Sequence, residues 1–294
     1  PPYSLDSEII KELNVQTEKL AKALKVVGLM NVQFAVKDNQ IYLIEVNPRA
    51  SRTVPFVAKA TDSAIASIAA RIMAGETLDN FDKRDSYGSV SYNETIPLAD
   101  PMSLANPMLP WFSVKEAVMP FARFPGVDTI LGPEMRSTGE VMGWDRDFGR
   151  AFLKAQIGAG MKLPIKGCVF FSIKDKDKND NLAETAQRLI KLGFNITATR
   201  GTAAFLKERN IPCTQINKVY EGRPNIVDTM KNGEIDLVMN TTEGAQAVKD
   251  SREIRSVALY DKIPYFTTAA AAHAAALAIQ SQTEGEIEVK SLQN

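Results

Sequence analysis

The strongest constraint on the fold is a regular alternation of apolar strand-like segments and helix-like segments in the C-terminal half of the chain. Such alternation is typical of a parallel sheet with helices on both faces, because each parallel strand needs a crossover connection. We therefore expect five parallel strands. The predicted strands are 168–173, 194–199, 213–216, 237–240 and 265–267, and the predicted helices are 182–191, 203–209, 226–231, 245–251 and 270–280.

Polar side chains follow all five predicted strands at the point where each strand ends. Ligands of open parallel sheets bind at these carboxyl ends, and helix N-termini there attract anions. A single threonine at such a position is often only a helix cap, but five polar ends together favour a site for a small phosphorylated ligand. The candidates are Ser172, Lys174, Lys178, Thr199, Arg200, Gly201, Thr202, Lys218, Asn240, Thr241, Thr242, Thr267 and Thr268.

A run that contains Glu45, Asn47, Arg49 and Arg52 marks a second candidate site near the N-terminus. Side chains two residues apart in a strand point to the same face, and Gln33 on a facing strand can join them. Carboxylate and amide oxygens suit Mg²⁺, while arginine offers planar donors to phosphate oxygens. The pattern therefore predicts a magnesium–nucleotide site.

The rest of the N-terminal half is less regular. Its predicted elements are a helix at 5–27 capped by Ser4, a hairpin of strands 31–36 and 41–46, a helix at 55–73, an irregular segment at 79–110, a strand at 111–121, a helix at 148–157 and a linker at 158–160. A length of 294 residues suits about two domains.

Composition excludes several classes of protein. Formal net charge is zero, so nothing draws the whole chain to nucleic acid or membrane. The longest apolar run, at 269–279, is too short to span a bilayer. Its His273 is the only histidine, and nothing around it supports a catalytic triad. Cys168 and Cys213 lie far apart, which suits a reducing cytosol. The chain begins without Met, so we expect a piece of a longer polypeptide.

The motifs resemble those of one family. Segments 31–35 and 44–56 are similar to the second ATP-grasp half of the carbamoyl phosphate synthetase large subunit, and segments 124–128 and 131–142 resemble the same enzyme. The C-terminal half resembles its allosteric domain, and the likeness leaves out only about 79–110. The implied fold class is α/β, with the C-terminal lobe of an ATP-grasp domain over 1–157, including an irregular insertion at about 79–110. A doubly wound parallel five-stranded methylglyoxal-synthase-like domain would follow over 158–294.

The resemblance implies a cytoplasmic ligase of arginine and pyrimidine biosynthesis. Such an enzyme makes carbamoyl phosphate from bicarbonate, ammonia and two ATP, and uses Mg²⁺ (or Mn²⁺) with ATP. Its implied partners are the rest of the large subunit, a glutamine amidotransferase small subunit, and the effectors UMP, IMP and ornithine, with no nucleic acid and no membrane. The glycine-rich loop and lysines that cover the nucleotide do not occur in this sequence, so the chain alone is expected to be inactive.

The resemblance also implies a role for particular residues. The metal ligands would be Gln33, Glu45 and Asn47, and Arg49 and Arg52 would stabilise the phosphoryl group in transit. The effector phosphate would be held by Lys178, Thr199, Thr202, Lys218, Asn240, Thr241 and Thr242. Ornithine would be held by Glu116, Tyr265 and Thr267. Arg200 stands where histidine is common in the family, and it adds a phosphate donor that would shift effector preference.

Three other interpretations compete with this one. The chain would be a stand-alone regulatory nucleotide-binding module if only its C-terminal half functions. Another ATP-grasp enzyme, such as a relative of biotin carboxylase, has a similar Glu-x-Asn-Pro-Arg run, but the fused C-terminal domain argues against it. A methylglyoxal synthase needs an acid–base carboxylate at its phosphate site, and Glu243 and Asp177 are the candidates for that role.

Overall fold

The computed structural model describes residues 4–61, 63–81, 111–124, 126–132 and 134–289. Contacts divide the chain into two compact units, with the boundary between residues 110 and 111. The predicted irregular segment at 79–110 lies outside the described residues from residue 82 onward.

The first unit contains a β-hairpin and three helices among its described residues. Its elements are α1 (Ser7–Ala23), β1 (Asn31–Lys37), β2 (Gln40–Asn47), α2 (Thr53–Thr61) and α3 (Ile65–Met73). The predicted hairpin is present and antiparallel. The predicted cap of α1 was wrong: Asp6 rather than Ser4 caps the helix, because its carboxylate accepts a hydrogen bond of 2.8 Å from the Ile9 amide.

The single helix predicted at 55–73 is two helices. The amide of Ser63 donates to the carbonyl oxygen of Ala58 at 2.9 Å, five residues back, so the regular α-helical pattern ends there. The unit has few buried side chains: within its described part they are Ser63, Ala69 and Phe81. Its apolar surface is correspondingly large, with Ile44 62% exposed and Val27 64% exposed.

The second unit begins with an antiparallel hairpin packed against a helix. These elements are β3 (Phe112–Val118), β4 (Gly139–Asp145) and α4 (Phe148–Gly158). Helix α4 packs on the hairpin so closely that a Cβ on Gly143 would lie 1.9 Å from the Ala151 carbonyl oxygen. The hairpin and α4 thus belong to the compact second unit, whereas the predicted domain boundary falls at residue 158. That boundary between homologous domains stays a prediction.

Five parallel strands form the sheet of the second unit, as predicted. Their order is β7-β6-β5-β8-β9, so the sheet is doubly wound about its first strand, β5. The strands are β5 (Gly167–Ser172), β6 (Phe194–Thr199), β7 (Thr214–Ile216), β8 (Leu237–Asn240) and β9 (Tyr265–Phe266). The helices are α5 (Asp180–Lys191), α6 (Arg200–Glu208), α7 (Ile226–Lys231), α8 (Ala245–Asp250), α9 (Arg252–Tyr260) and α10 (Ala269–Thr283). Helix α9 was not predicted.

Alternate side chains of β5 enter two separate hydrophobic cores, one on each face of the sheet. Val169 and Phe171 join the core beneath α5 and α10. Phe170 points the other way and joins the core that contains Ile226 and Met230. All three β5 side chains are fully buried, as expected for a parallel strand covered on both faces. No helix within the described residues has the length and apolarity needed to cross a membrane.

Candidate functional site

A cavity of about 890 Å³ opens at the carboxyl ends of the parallel strands in the second unit. It lies beside the switch point between β5 and β8, where the chain crosses to opposite faces of the sheet. The cavity brings together all seven residues predicted to hold an effector phosphate, although they come from four segments of the chain. They are Lys178, Thr199, Thr202, Lys218, Asn240, Thr241 and Thr242.

Two of the threonines organise the cavity wall. The hydroxyl oxygen of Thr202, at the start of α6, accepts a hydrogen bond of 3.0 Å from the Ile173 amide. The hydroxyl oxygen of Thr241, after β8, accepts one of 2.9 Å from the Lys174 amide. Both threonines are buried. They therefore fix the loop that follows β5 against its neighbours, and this loop carries Lys178.

Positive charge converges at one end of the cavity. The ammonium group of Lys178 pairs with Asp175 at 2.6 Å, and only 14% of the Lys178 side chain is exposed. The hydrogen bond from Lys178, with the nearby charges of Lys178 and Lys218, lowers the pKa of Asp175. Two ammonium groups thus act on one carboxylate beside the N-terminus of α6, where backbone amides also favour an anion.

A glycine makes room for this arrangement. A Cβ on Gly201 would lie 3.1 Å from the Lys178 ammonium nitrogen, which is tighter than most contacts of a real Cβ. Glycine at this position therefore allows Lys178 to approach the first turn of α6. A lysine beside the N–H groups of a helix N-terminus is suited to bind phosphate oxygens.

Two exposed ion pairs lie at the rim of the cavity. Lys176, after β5, pairs with Glu243, after β8, at 2.6 Å. Arg200 at the start of α6 approaches Glu221 at 3.8 Å. The hydrogen bond with Lys176 lowers the pKa of Glu243, which makes this carboxylate a weaker base. That shift gives no support to Glu243 as the acid–base group of a methylglyoxal synthase.

The three residues predicted to hold ornithine take part in separate contacts. Glu116 on β3 accepts a hydrogen bond of 2.8 Å from Gln156 on α4. Burial raises the pKa of Glu116, and the Gln156 hydrogen bond opposes that rise. Tyr265 instead bonds to Asn240 at 2.7 Å, and Thr267 is exposed. The hydrogen bonds of Glu116 and Tyr265 lead to different neighbours, and the ornithine site stays a prediction.

Sequence reasoning missed part of the cavity wall. Ser251 and Ile254, at the start of α9, line the cavity, and both are buried. The sequence does carry a signal for this helix, because Ile254 and Ala258 are buried apolar residues four positions apart. Ser251 is the C-cap of the neighbouring helix α8 and also the N-cap of α9, so no glycine or proline separates the two helices.

The candidate metal–nucleotide site lies on the hairpin of the first unit. Gln33 on β1 pairs directly with Glu45 on β2, and the Asn47 amide donates a hydrogen bond of 2.7 Å to the Glu45 carboxylate. The three predicted metal ligands therefore share one face of the hairpin. Two amide oxygens and a carboxylate are hard oxygen donors, which fits Mg²⁺ or Mn²⁺.

The two predicted catalytic arginines follow β2 directly. One Nη of Arg49 donates to the Ala50 carbonyl oxygen at 3.0 Å, which leaves other guanidinium N–H groups for a ligand. Arg49 and Arg52 are both exposed. Within the described residues no cluster of three or more histidine, cysteine, aspartate or glutamate side chains could hold a metal ion. The predicted set contains a single carboxylate, Glu45, and its role stays a prediction.

The five-stranded parallel sheet of the second unit is consistent with a methylglyoxal-synthase-like domain, and residues 181–267 match the family model described as the MGS-like domain. Residues 1–81 match the model described as the ATP binding domain of the carbamoyl-phosphate synthase L chain. The whole chain is homologous to the C-terminal region of carbamoyl phosphate synthase large chains.

Three relatives illustrate the likeness. The chain is 52% identical over 294 residues to the carbamoyl phosphate synthase large chains of Brucella suis and Rhizobium meliloti. It is 51% identical over 288 residues to that of Pasteurella multocida. It spans about a quarter of the length of these relatives, 24% for the first two and 25% for the third. The first two alignments cover all of the chain, so they also run through 79–110, for which we expected no counterpart.

Proposed function

We propose that the chain is the C-terminal part of a glutamine-dependent carbamoyl phosphate synthase large chain, and that its second unit binds a nucleotide effector through the effector's phosphate. The observation that carries the effector site is the convergence of Lys178 and Lys218 with the N-terminus of α6 in one cavity. Buried threonines fix the loops around it. A phosphate dianion bound there would be stabilised both by two ammonium charges and by the N–H groups at the N-terminus of α6.

The size of the cavity suits a nucleotide rather than inorganic phosphate alone. At about 890 Å³ it is within the range of pockets that enclose small organic ligands. Apolar side chains line part of it, including Phe170, Val219 and Ile254, and they offer a surface for a base or sugar. UMP and IMP are the effectors we propose, with Arg200 at the rim influencing the preference between them.

For the first unit we propose the nucleotide chemistry of a ligase. Gln33, Glu45 and Asn47 would hold Mg²⁺ or Mn²⁺ with ATP, and the metal would neutralise phosphate charge when bound. Arg49 and Arg52 would orient the transferred phosphoryl group and stabilise the charge that develops on it. Phosphoryl transfer depends mainly on such positioning and charge stabilisation. The reaction proposed for the whole enzyme is ATP-dependent phosphorylation of carbamate, in a cytoplasmic pathway to arginine and pyrimidines.

Two partners follow from this proposal. A glutamine amidotransferase small subunit would supply ammonia, and the remaining part of the large chain would cover the first unit. The exposed apolar side chains of this unit support the second partner, since Leu43, Ile44 and Val27 remain in contact with water. The chain alone should therefore bind effector but not turn over ATP. Carbamate-dependent release of ADP from the isolated chain would contradict this expectation.

Titration calorimetry of the chain with UMP, and then with IMP, tests the effector site. We expect saturable binding that Lys218→Ala weakens by about ten- to a hundredfold, because a hydrogen bond to a charged group contributes about 1.5–3 kcal/mol. Lys191→Ala is a matched control, since Lys191 is an exposed lysine on α5 that does not line the cavity. Equal affinities for wild type and Lys218→Ala would overturn the proposed site.

One observation favours a second candidate function, a regulatory nucleotide-binding module. The second unit has its own buried core on both faces of the sheet, whereas the described part of the first unit buries few side chains. A titration with Mg²⁺–ATP separates the two functions. Binding that Glu45→Gln weakens favours the ligase fragment, and no binding of Mg²⁺–ATP alongside tight effector binding favours the module.

A further inference from the structure

A buried amide in the effector cavity has only one of its two ends satisfied. Asn240, the last residue of β8, lines the cavity and is 1% exposed. Its Nδ2 donates a hydrogen bond of 2.7 Å to the Tyr265 hydroxyl. Its Oδ1 is buried and has no hydrogen-bond partner within the described part of the chain. A buried polar atom without a hydrogen-bond partner is unfavourable, so this end of the amide is suited to interact with a ligand.

The observed orientation of this amide does not suit an anion. A carbonyl oxygen carries partial negative charge and accepts hydrogen bonds, so it would repel a phosphate oxygen inside the cavity. The amide NH₂ group is the end that donates to an anion. If Asn240 is to bind phosphate, as the sequence predicts, its amide must be turned by half a rotation about the Cβ–Cγ bond.

The neighbours of Asn240 favour that turned orientation. Tyr265 interacts with both Asn240 and the Arg255 guanidinium. That guanidinium bonds to both carboxylate oxygens of Asp128 at 2.7 and 2.8 Å and to the Val248 carbonyl oxygen at 2.9 Å. Burial raises the pKa of Tyr265, while the hydrogen bond with Asn240 and the charge of Arg255 oppose the rise. Tyr265 is therefore a neutral hydroxyl at physiological pH, with one proton to donate.

The direction of that proton follows from the donors around it. A guanidinium has five N–H donors and no acceptor, so towards Tyr265 it can face only a lone pair of the hydroxyl oxygen. The Tyr265 proton then has the Asn240 amide as its available acceptor. In the turned orientation Tyr265 donates to Oδ1, the buried atom gains a partner, and Nδ2 replaces it on the cavity side.

We propose that the Asn240 amide binds the effector phosphate in the turned orientation, and that Tyr265, Arg255 and Asp128 are positioning residues that hold its NH₂ group towards the ligand. This inference rests on the proposed effector function. It also links the cavity to Asp128, in the connection between β3 and β4, through side chains that are far apart in sequence.

Substitution of Tyr265 by phenylalanine tests the inference, because it removes only the hydroxyl. Tyr260→Phe is the matched control, since Tyr260 is 87% exposed. We expect Tyr265→Phe to weaken UMP binding about tenfold in calorimetry, the loss of one hydrogen bond of about 1.4 kcal/mol. The melting temperature without ligand should change little, while the rise in melting temperature produced by UMP should shrink. A variant that had lost structure would instead show a lower melting temperature without ligand.

Asn240→Asp supplies a second and independent test. Aspartate keeps the shape of asparagine but replaces the NH₂ donor with an acceptor oxygen and adds a negative charge, so the turned-amide proposal predicts that UMP binding is lost. Binding retained by Asn240→Asp, or unchanged affinity in Tyr265→Phe, would overturn the inference while wild-type binding still upholds the effector site. If wild type itself binds neither UMP nor IMP, the proposed function fails and this inference fails with it.

Discussion

The fit between β4 and α4 leads to a quantitative prediction about Gly143. A Cβ at this position would lie 1.9 Å from the Ala151 carbonyl oxygen and 2.5 Å from the Ala155 nitrogen. Both contacts are to helix backbone, which cannot rotate away as a side chain can. Ordinary contact begins at 3.4 Å, so Gly143→Ala must separate the hairpin from α4 by about 1.5 Å.

This separation lowers the free energy of unfolding because it removes packing contacts. Ala151 and Ala155 on α4 are fully buried and lie directly against Gly143, and a gap of this width removes much of their van der Waals contact with the hairpin. Overpacking typically costs about 1–3 kcal/mol. We expect about 3 kcal/mol here because two backbone contacts are violated. For a domain of this size that lowers the melting temperature by about 6–12 °C.

Tryptophan fluorescence is a suitable measurement of this loss of stability in the second unit. The chain has two tryptophans, Trp111 and Trp144, and they stack with ring centroids 3.7 Å apart beside the hairpin. Thermal unfolding followed by their emission therefore reports on the second unit. Gly139→Ala is the matched control, because it lies on the same strand and its Cβ would meet no atom within 4 Å. If both variants melt at the same temperature, the packing argument is refuted.

Three further predictions concern the second unit. The hydrogen bond from Arg255 lowers the pKa of Asp128, so the stability advantage of wild type over Asp128→Asn should be present at neutral pH. Thermal melts should show it disappearing as the pH falls through the lowered pKa, below 3.8. Glu243→Gln removes a negative charge from the cavity rim and should tighten UMP binding a few-fold in calorimetry, less so at high salt. Phe171→Ala should destabilise the unit by about 3–5 kcal/mol in urea unfolding, because Phe171 is fully buried.

Much of the sheet could be predicted because its signals are local. Strands that are covered on both faces are continuous apolar runs, such as the one that contains Phe170 and Phe171, and they stand out against the polar residues that follow. The same property identified the cavity. The carboxyl ends of parallel strands meet at one edge of the sheet, so the polar residues after each strand had to lie close together.

Two features could not be predicted from the sequence. They are the boundary between α8 and α9, and the role of the glycines at 158–160, because a glycine is found both in linkers and at helix ends. Ser251 alone lies between α8 and α9 and caps both helices, so the sequence contains no glycine or proline that would reveal a second helix. The glycines at 158–160 suggested a linker. In the structure Gly160 has φ of +83° and follows the C-terminus of α4, and the next amide, that of Met161, bonds back to the Gln156 carbonyl oxygen at 2.9 Å. These glycines therefore end a helix.

The sequence by itself determined the class of fold, the order of the strands along the chain and the set of polar residues at the cavity. Composition and local periodicity are enough for these, since they depend on which residues are buried and on how neighbouring side chains alternate. Only the tertiary structure decided how those residues are connected. The contact of Asn240 with Tyr265, and of Arg255 with Asp128, joins positions that are distant in sequence, and such pairing depends on how the folded elements pack against one another.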